Sequence, residues 1–171
     1  MSIDPTSQAS DYLILLDNID EASMQRLQED AESIYGSPWG LPLRVFFAIL
    51  EDDYSHIGIE KRDFINATVR QYVWMKSFRE CEKQLSEMLQ AWQVPQTTEA
   101  QRASAKCLKM QPKEGVIVFT RKYFNLPNFD ATMDIPLSDF VLAKKDEFNN
   151  ALFRYHMEQQ QRAKLQQKKK R

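Results

Sequence analysis

The sequence predicts a mainly α protein: one helical domain of four to five helices with a small β-hairpin and a projecting C-terminal helix. Three observations carry that reading. At 171 residues, 43% hydrophobic and 11% aromatic, the chain is too apolar for disorder and long enough to bury one core. Its 4 glycines are too few for the tight turns of a barrel or sandwich. Leu, Ala, Gln, Glu, Lys and Met, all good helix formers, dominate, and apolar residues recur at three-and-four spacing. Residues 1–157 read as a single α-rich domain and 158–171 as a polar, basic tail.

Residues 1–10 are a polar lead-in, and the short apolar run Tyr12 to Leu16 fits a buried strand or a first helical turn. From Asp20, the residues Met24, Leu27, Ala31, Ile34 and Tyr35 form an amphipathic stripe that Gly36-Ser37-Pro38 closes. Trp39-Gly40-Leu41-Pro42 reads as a turn, with Pro42 in the first position of a helix running from Leu43 to about Ser55. Val45 to Leu50 is apolar all round and belongs in the core, before an abrupt change to Glu51-Asp52-Asp53.

A long helix is expected from about Lys61 to Gln93, with Phe64, Ile65, Val69, Tyr72, Val73, Phe78, Leu85, Met88, Leu89 and Trp92 on one stripe and Pro95 ending it. Thr97-Thr98 caps a short helix through about Leu108. Val116 to Thr120, rich in β-branched and aromatic residues, reads as a strand, and Phe129 to Asp134 as its partner across the turn at Asn125 to Asn128. Ser138 caps a last helix whose buried face is Phe140, Val141, Phe148, Leu152 and Tyr155. Past Met157 that face gives way to polar residues, as expected of a helix leaving the body for solvent.

Charge is sorted along the chain. Residues 1–60 hold twelve acids against Arg26 and Arg44, a net of −10, and residues 61–171 hold twelve acids against twenty-one bases, a net of +9. Such asymmetry speaks of charged partners rather than of fold. The expected contacts for a protein partner are Glu51, Asp52, Asp53 and Trp39. The expected contacts for nucleic acid or an acidic partner are Arg162, Lys164, Lys168, Lys169, Lys170 and Arg171. Basic clusters of this kind release counterions from phosphate and bind without sequence preference.

No catalytic signature accompanies the charge. Neither GxxxxGK[ST], GxGxxG nor GxSxG occurs. Cys81 and Cys107 lack the spacing of a metal knuckle or a disulfide scaffold, and the acids beside Cys81 dull it as a nucleophile. Asp52 and His56, four apart, would share a face of a continuous helix, but two donors are short of a ligand set. No enzyme, metal or cofactor is expected. The start of the chain lacks a cationic, apolar leader, and its longest apolar run is six residues, so the expectation is a cytoplasmic protein without a membrane span.

Two segments carry a resemblance. Trp39 to Tyr54 (WGLPLRVFFAILEDDY) resembles the helical opening of tailed-phage accessory proteins, notably tail-assembly chaperones, and Ile135 to Asn150 resembles the closing helix of similar small phage proteins. Together they cover about a fifth of the chain. The resemblance implies a small helical protein that shields or guides an aggregation-prone structural protein during virion assembly, with no catalytic residues. The expected function is therefore that of a non-enzymatic assembly or adaptor protein binding another protein through helix faces, with self-association open. Nonspecific nucleic-acid binding through the basic tail is the alternative.

Overall fold

A computed structural model describes residues 19–65, 67–96, 104, 107 and 109–169. It consists of seven α-helices, with no strand among the described residues. They are α1 (Glu21–Tyr35), α2 (Leu43–Leu50), α3 (Lys61–Ile65), α4 (Val69–Ala91), α5 (Pro112–Tyr123), α6 (Phe129–Met133) and α7 (Leu137–Lys169), with 3₁₀ turns at Pro38–Gly40 and Ser55–Ile57. The mainly α expectation holds. The run Tyr12 to Leu16, and most of the helix expected at 97–108, lie outside the described residues.

The expected hairpin is absent, because both of its strands are helical. Pro112 opens α5 at a position where its missing amide costs nothing, and the Gln111 amide donates to Glu114 Oε2 at 2.9 Å. Thr120 is fully buried, yet its hydroxyl donates to the Val116 carbonyl at 2.8 Å within the helix. Phe119 then meets Phe140 of α7 edge-on at 5.9 Å. Packing outweighs the β propensity of Val116-Ile117-Val118. The second expected strand is a helix because Asn128 caps it, accepting from the Ala131 amide at 2.9 Å.

Helix boundaries also move. α2 stops at Leu50 rather than near Ser55, and Asp52 takes a left-handed backbone, φ 64°, that ends the helix. Pro42 is the residue before α2, not its first, and Ser138 lies just inside α7 instead of capping it. The single helix expected over 61–93 is two, since Thr68 is extended and caps α4. Its amide donates to Gln71 Oε1 at 3.0 Å, one arm of a capping box.

The core is aromatic. Trp74 stacks on Phe78 at 5.8 Å, Phe78 lies 5.3 Å from Phe46, and Tyr35 meets Trp74 edge-on at 6.0 Å. Leu43, Ile49, Ile59, Leu137 and Phe140 fill the space around them. The Trp74 indole N–H donates to the Gly36 carbonyl at 2.7 Å, joining the end of α1 to α4. An antiparallel bridge at Pro42 and Pro136 joins the starts of α2 and α7. Arg44 of α2 reaches Asp130 and Asp134 at 3.5 and 3.3 Å, which ties α6 alongside. No buried side-chain polar atom among the described residues lacks a partner.

Candidate functional site

The acids Glu51, Asp52 and Asp53 all sit on the turn after α2, and each is engaged by this chain. Glu51 pairs with Lys113 of α5, whose ammonium also lies 5.3 Å from the Phe47 ring. Asp52 accepts from the Tyr54 hydroxyl at 3.0 Å and faces Lys61 at 3.9 Å. Asp53 accepts the Ser55 hydroxyl at 2.6 Å and the Ser55 amide at 3.1 Å. The Ser55 hydroxyl, then its amide, and then His56 hold the Asp53 carboxyl below the usual carboxylate range.

Asp52 and His56 do not share a helix face. His56 belongs to the 3₁₀ turn and lies 3.7 Å from Asp53 Oδ2 instead. No group of three or more metal-ligating side chains occurs among the described residues. Glu51 ties the end of α2 to α5, and Asp52 and Asp53 order the turn, while all three carboxylates stay exposed.

Trp39 is half-buried against the core and borders a groove of about 610 Å³ between α1, α4 and the Pro38–Gly40 turn. Met24, Pro38, Trp39 and Val73 contribute apolar lining, and Glu32 and Glu80 contribute negative charge against Lys76, Arg79 and Lys83. Cys81 also lines it, yet its residue is 2% exposed, and burial with help from Glu82 pushes the thiol up to about 12. A thiol in that state is not a nucleophile. Cys107 is exposed.

α7 holds the third candidate surface. Its first half is anchored: Phe140 and Ala143 are buried, Tyr123 donates to Asp146 at 2.8 Å, and Trp92 stacks on Phe148 at 6.5 Å. From Phe153 to Gln167 every side chain except that of Tyr155 is exposed. Arg162 and Lys164 are among them. The side chains of Lys168 and Lys169, and all of Lys170 and Arg171, lie outside the described residues.

The expected stripe of Phe148, Leu152 and Tyr155 is only half-buried, and a second apolar row escaped the sequence reading. Phe153 is 66% exposed, Met157 42% and Leu165 59%. The four-residue step from Phe153 to Met157 was the available signal. Both residues lie off the stripe that packs on the body, so their exposure follows from where the body ends.

Comparison with protein-family models, with curated proteins and with solved structures finds no match to this chain. No helix among the described residues is long and apolar enough to cross a membrane.

Proposed function

We propose that this chain is a non-enzymatic assembly or adaptor protein that binds another protein through helix faces. A phage tail-assembly chaperone or structural accessory protein is the concrete form of that role. One observation carries the reading: α7, 33 residues long, leaves the body with Phe153, Met157 and Leu165 exposed among charged and amide side chains. A helix presenting large apolar side chains four and then eight residues apart offers a docking ridge for a groove on a client. The unreactive Cys81 thiol further supports a binding role over thiol catalysis.

The test is a nuclease-treated pull-down from the native source, run with the wild-type chain and with Phe153→Glu/Met157→Glu. A stoichiometric protein, distinct from the chain itself, held by the wild type and lost by the variant is expected. A second reading, nonspecific nucleic-acid binding, draws on Arg162 and Lys164 standing exposed on an ordered helix. Retention of nucleic acid alone, abolished by deleting 162–171, would move the function there.

A further inference from the structure

The groove between α1, α4 and the Pro38–Gly40 turn has an apolar floor and a rim of mixed charge. Pro38 and Val73 are buried and Trp39 is half-buried in the floor, while Glu32 and Glu80 stand against Lys76, Arg79 and Lys83 around it. Charges interleaved in this way select neither an acidic nor a basic ligand. What such a floor recognises is an uncharged segment of large apolar side chains. A segment of that kind lies outside the described residues. Tyr12-Leu13-Ile14-Leu15-Leu16 is five consecutive apolar residues without a charge.

Chain geometry delivers that segment to the groove. Asp20 is extended, with φ −64° and ψ 155°, and its carboxylate accepts from the Ser23 amide at 2.9 Å, so the chain leaves the helix axis at this residue. Ile19 precedes the cap and Met24 is the fourth residue of the helix, the two positions whose apolar side chains pack together and fix the angle at which a chain enters a helix. Both are half-buried. Met24 also lines the groove, and Gln28 and Glu32 follow it on the same face of α1, so the incoming chain arrives on the groove side. Leu16 is four residues from Asp20 and Tyr12 is eight, a reach of at most about 14 and 28 Å. The helix from Asp20 to Glu32 rises about 18 Å, so the tether covers the length of the groove. A segment on so short a tether has an effective concentration of about a millimolar, which a free protein of the same chemistry does not match.

We propose that Tyr12 to Leu16 folds back into the α1–α4 groove of its own chain and covers the floor at Trp39 and Val73. The groove is then an internal seat, filled from within the molecule. This occupancy goes beyond client binding: it closes one apolar surface of the body and leaves the distal face of α7 open to a partner.

The experiment is disulfide trapping in the purified full chain carrying Cys107→Ser, which removes the exposed native thiol. Leu13→Cys, Ile14→Cys and Leu15→Cys are made one at a time. Each is combined with Gln28→Cys on the groove side of α1, or with Arg26→Cys, which is exposed at nearly the same tether distance but does not line the groove. Every variant is first shown to unfold cooperatively in denaturant. Oxidation is then followed in dilute protein by non-reducing electrophoresis and peptide mass analysis. At least one of the three is expected to close a disulfide within the chain to position 28 at least about tenfold faster than to position 26. Adding Tyr12→Glu/Leu16→Glu, which places carboxylates over the apolar floor, is expected to bring the two rates together. Equal rates to positions 28 and 26 in the unmodified segment, disulfides that join two chains, or a preference that survives the two carboxylates would each overturn the proposal. None of these outcomes bears on whether a client is captured in the pull-down.

Discussion

The amide of Leu43 donates to the carbonyl of Ile135 at 2.9 Å, and the amide of Leu137 answers with a bond to the carbonyl of Leu41 at 2.8 Å. The two tripeptides, Leu41-Pro42-Leu43 and Ile135-Pro136-Leu137, are near copies, and their prolines face each other. A proline has no amide to give, so the bonds come from the residues on either side. The first amide of a helix has no acceptor within it. Here each helix start satisfies the other's, and α2 and α7 begin from one joint.

That joint predicts where the fold is sensitive. Leu137 is 1% exposed, and Leu137→Ala is expected to cost about 2–5 kcal/mol in denaturant unfolding. The neighbouring exposed Leu142→Ala is expected to change stability by no more than about 0.5 kcal/mol. Equal effects would mean that the start of α7 is not anchored as described.

Two glycines are expected to respond to alanine with opposite signs. Gly36 ends α1 with φ 82° and ψ 158°, a conformation essentially confined to glycine, and nothing lies within 4 Å of an added Cβ, so Gly36→Ala costs only backbone strain, about 1–3 kcal/mol of lost stability. Gly115 sits inside α5 with equally open space, and Gly115→Ala is expected to gain about 0.5–1 kcal/mol. Thermal unfolding of the two variants checks both signs.

Trp74→Phe keeps an aromatic ring in the core and removes the donor to the Gly36 carbonyl. With Trp74 fully buried, the expected loss is about 1–3 kcal/mol. Because the bond holds the end of α1, amide exchange in Ile34 to Gly36 is expected to rise more than exchange in α7.

Cys81 sets an alkaline limit. Its thiol is raised from 9.0 to about 12 in the folded chain, so the folded state keeps a proton that the unfolded state releases. The associated stability is fully present below about pH 9 and falls as pH rises toward about 12. Comparing unfolding of the wild type and Cys81→Ala across that window isolates the Cys81 share of the slope, since Tyr54 and Tyr123, also raised, contribute equally to both proteins. At neutral pH a thiol reagent is expected to label exposed Cys107 at once and Cys81 only on opening.

The predominance of helix was legible in composition and spacing, and so were α1, the α4 stripe and the apolar α2. Each of these rests on local periodicity that tertiary contacts reinforce. The hairpin was misread because Val116-Ile117-Val118-Phe119 carries a strand's residue types, whereas the deciding contacts, such as Phe119 on Phe140, lie far along the chain. The break before α4 and the start of α6 did carry local signals, Thr68 with Gln71 and Asn128. At the candidate sites, Trp39 was visible as a large aromatic in a turn, but not the groove that α4 closes beside it. The acids at 51–53 advertised a docking spot, and only the fold reveals that Lys113 and Lys61 reach them.

α7 is one helix in geometry and two in thermodynamics. Its 33 residues extend about 50 Å. Near Phe140 its amides open only when the core does, since the side chains there are buried. Beyond Phe153 the hydrogen bonds stand on intrinsic propensity alone, and an isolated stretch of that length is marginal in water. Proton exchange along this single rod should therefore grade from slow to fast toward its tip. Whatever settles on the ridge will be recorded as a slowing of amides that the rest of the chain leaves to the solvent.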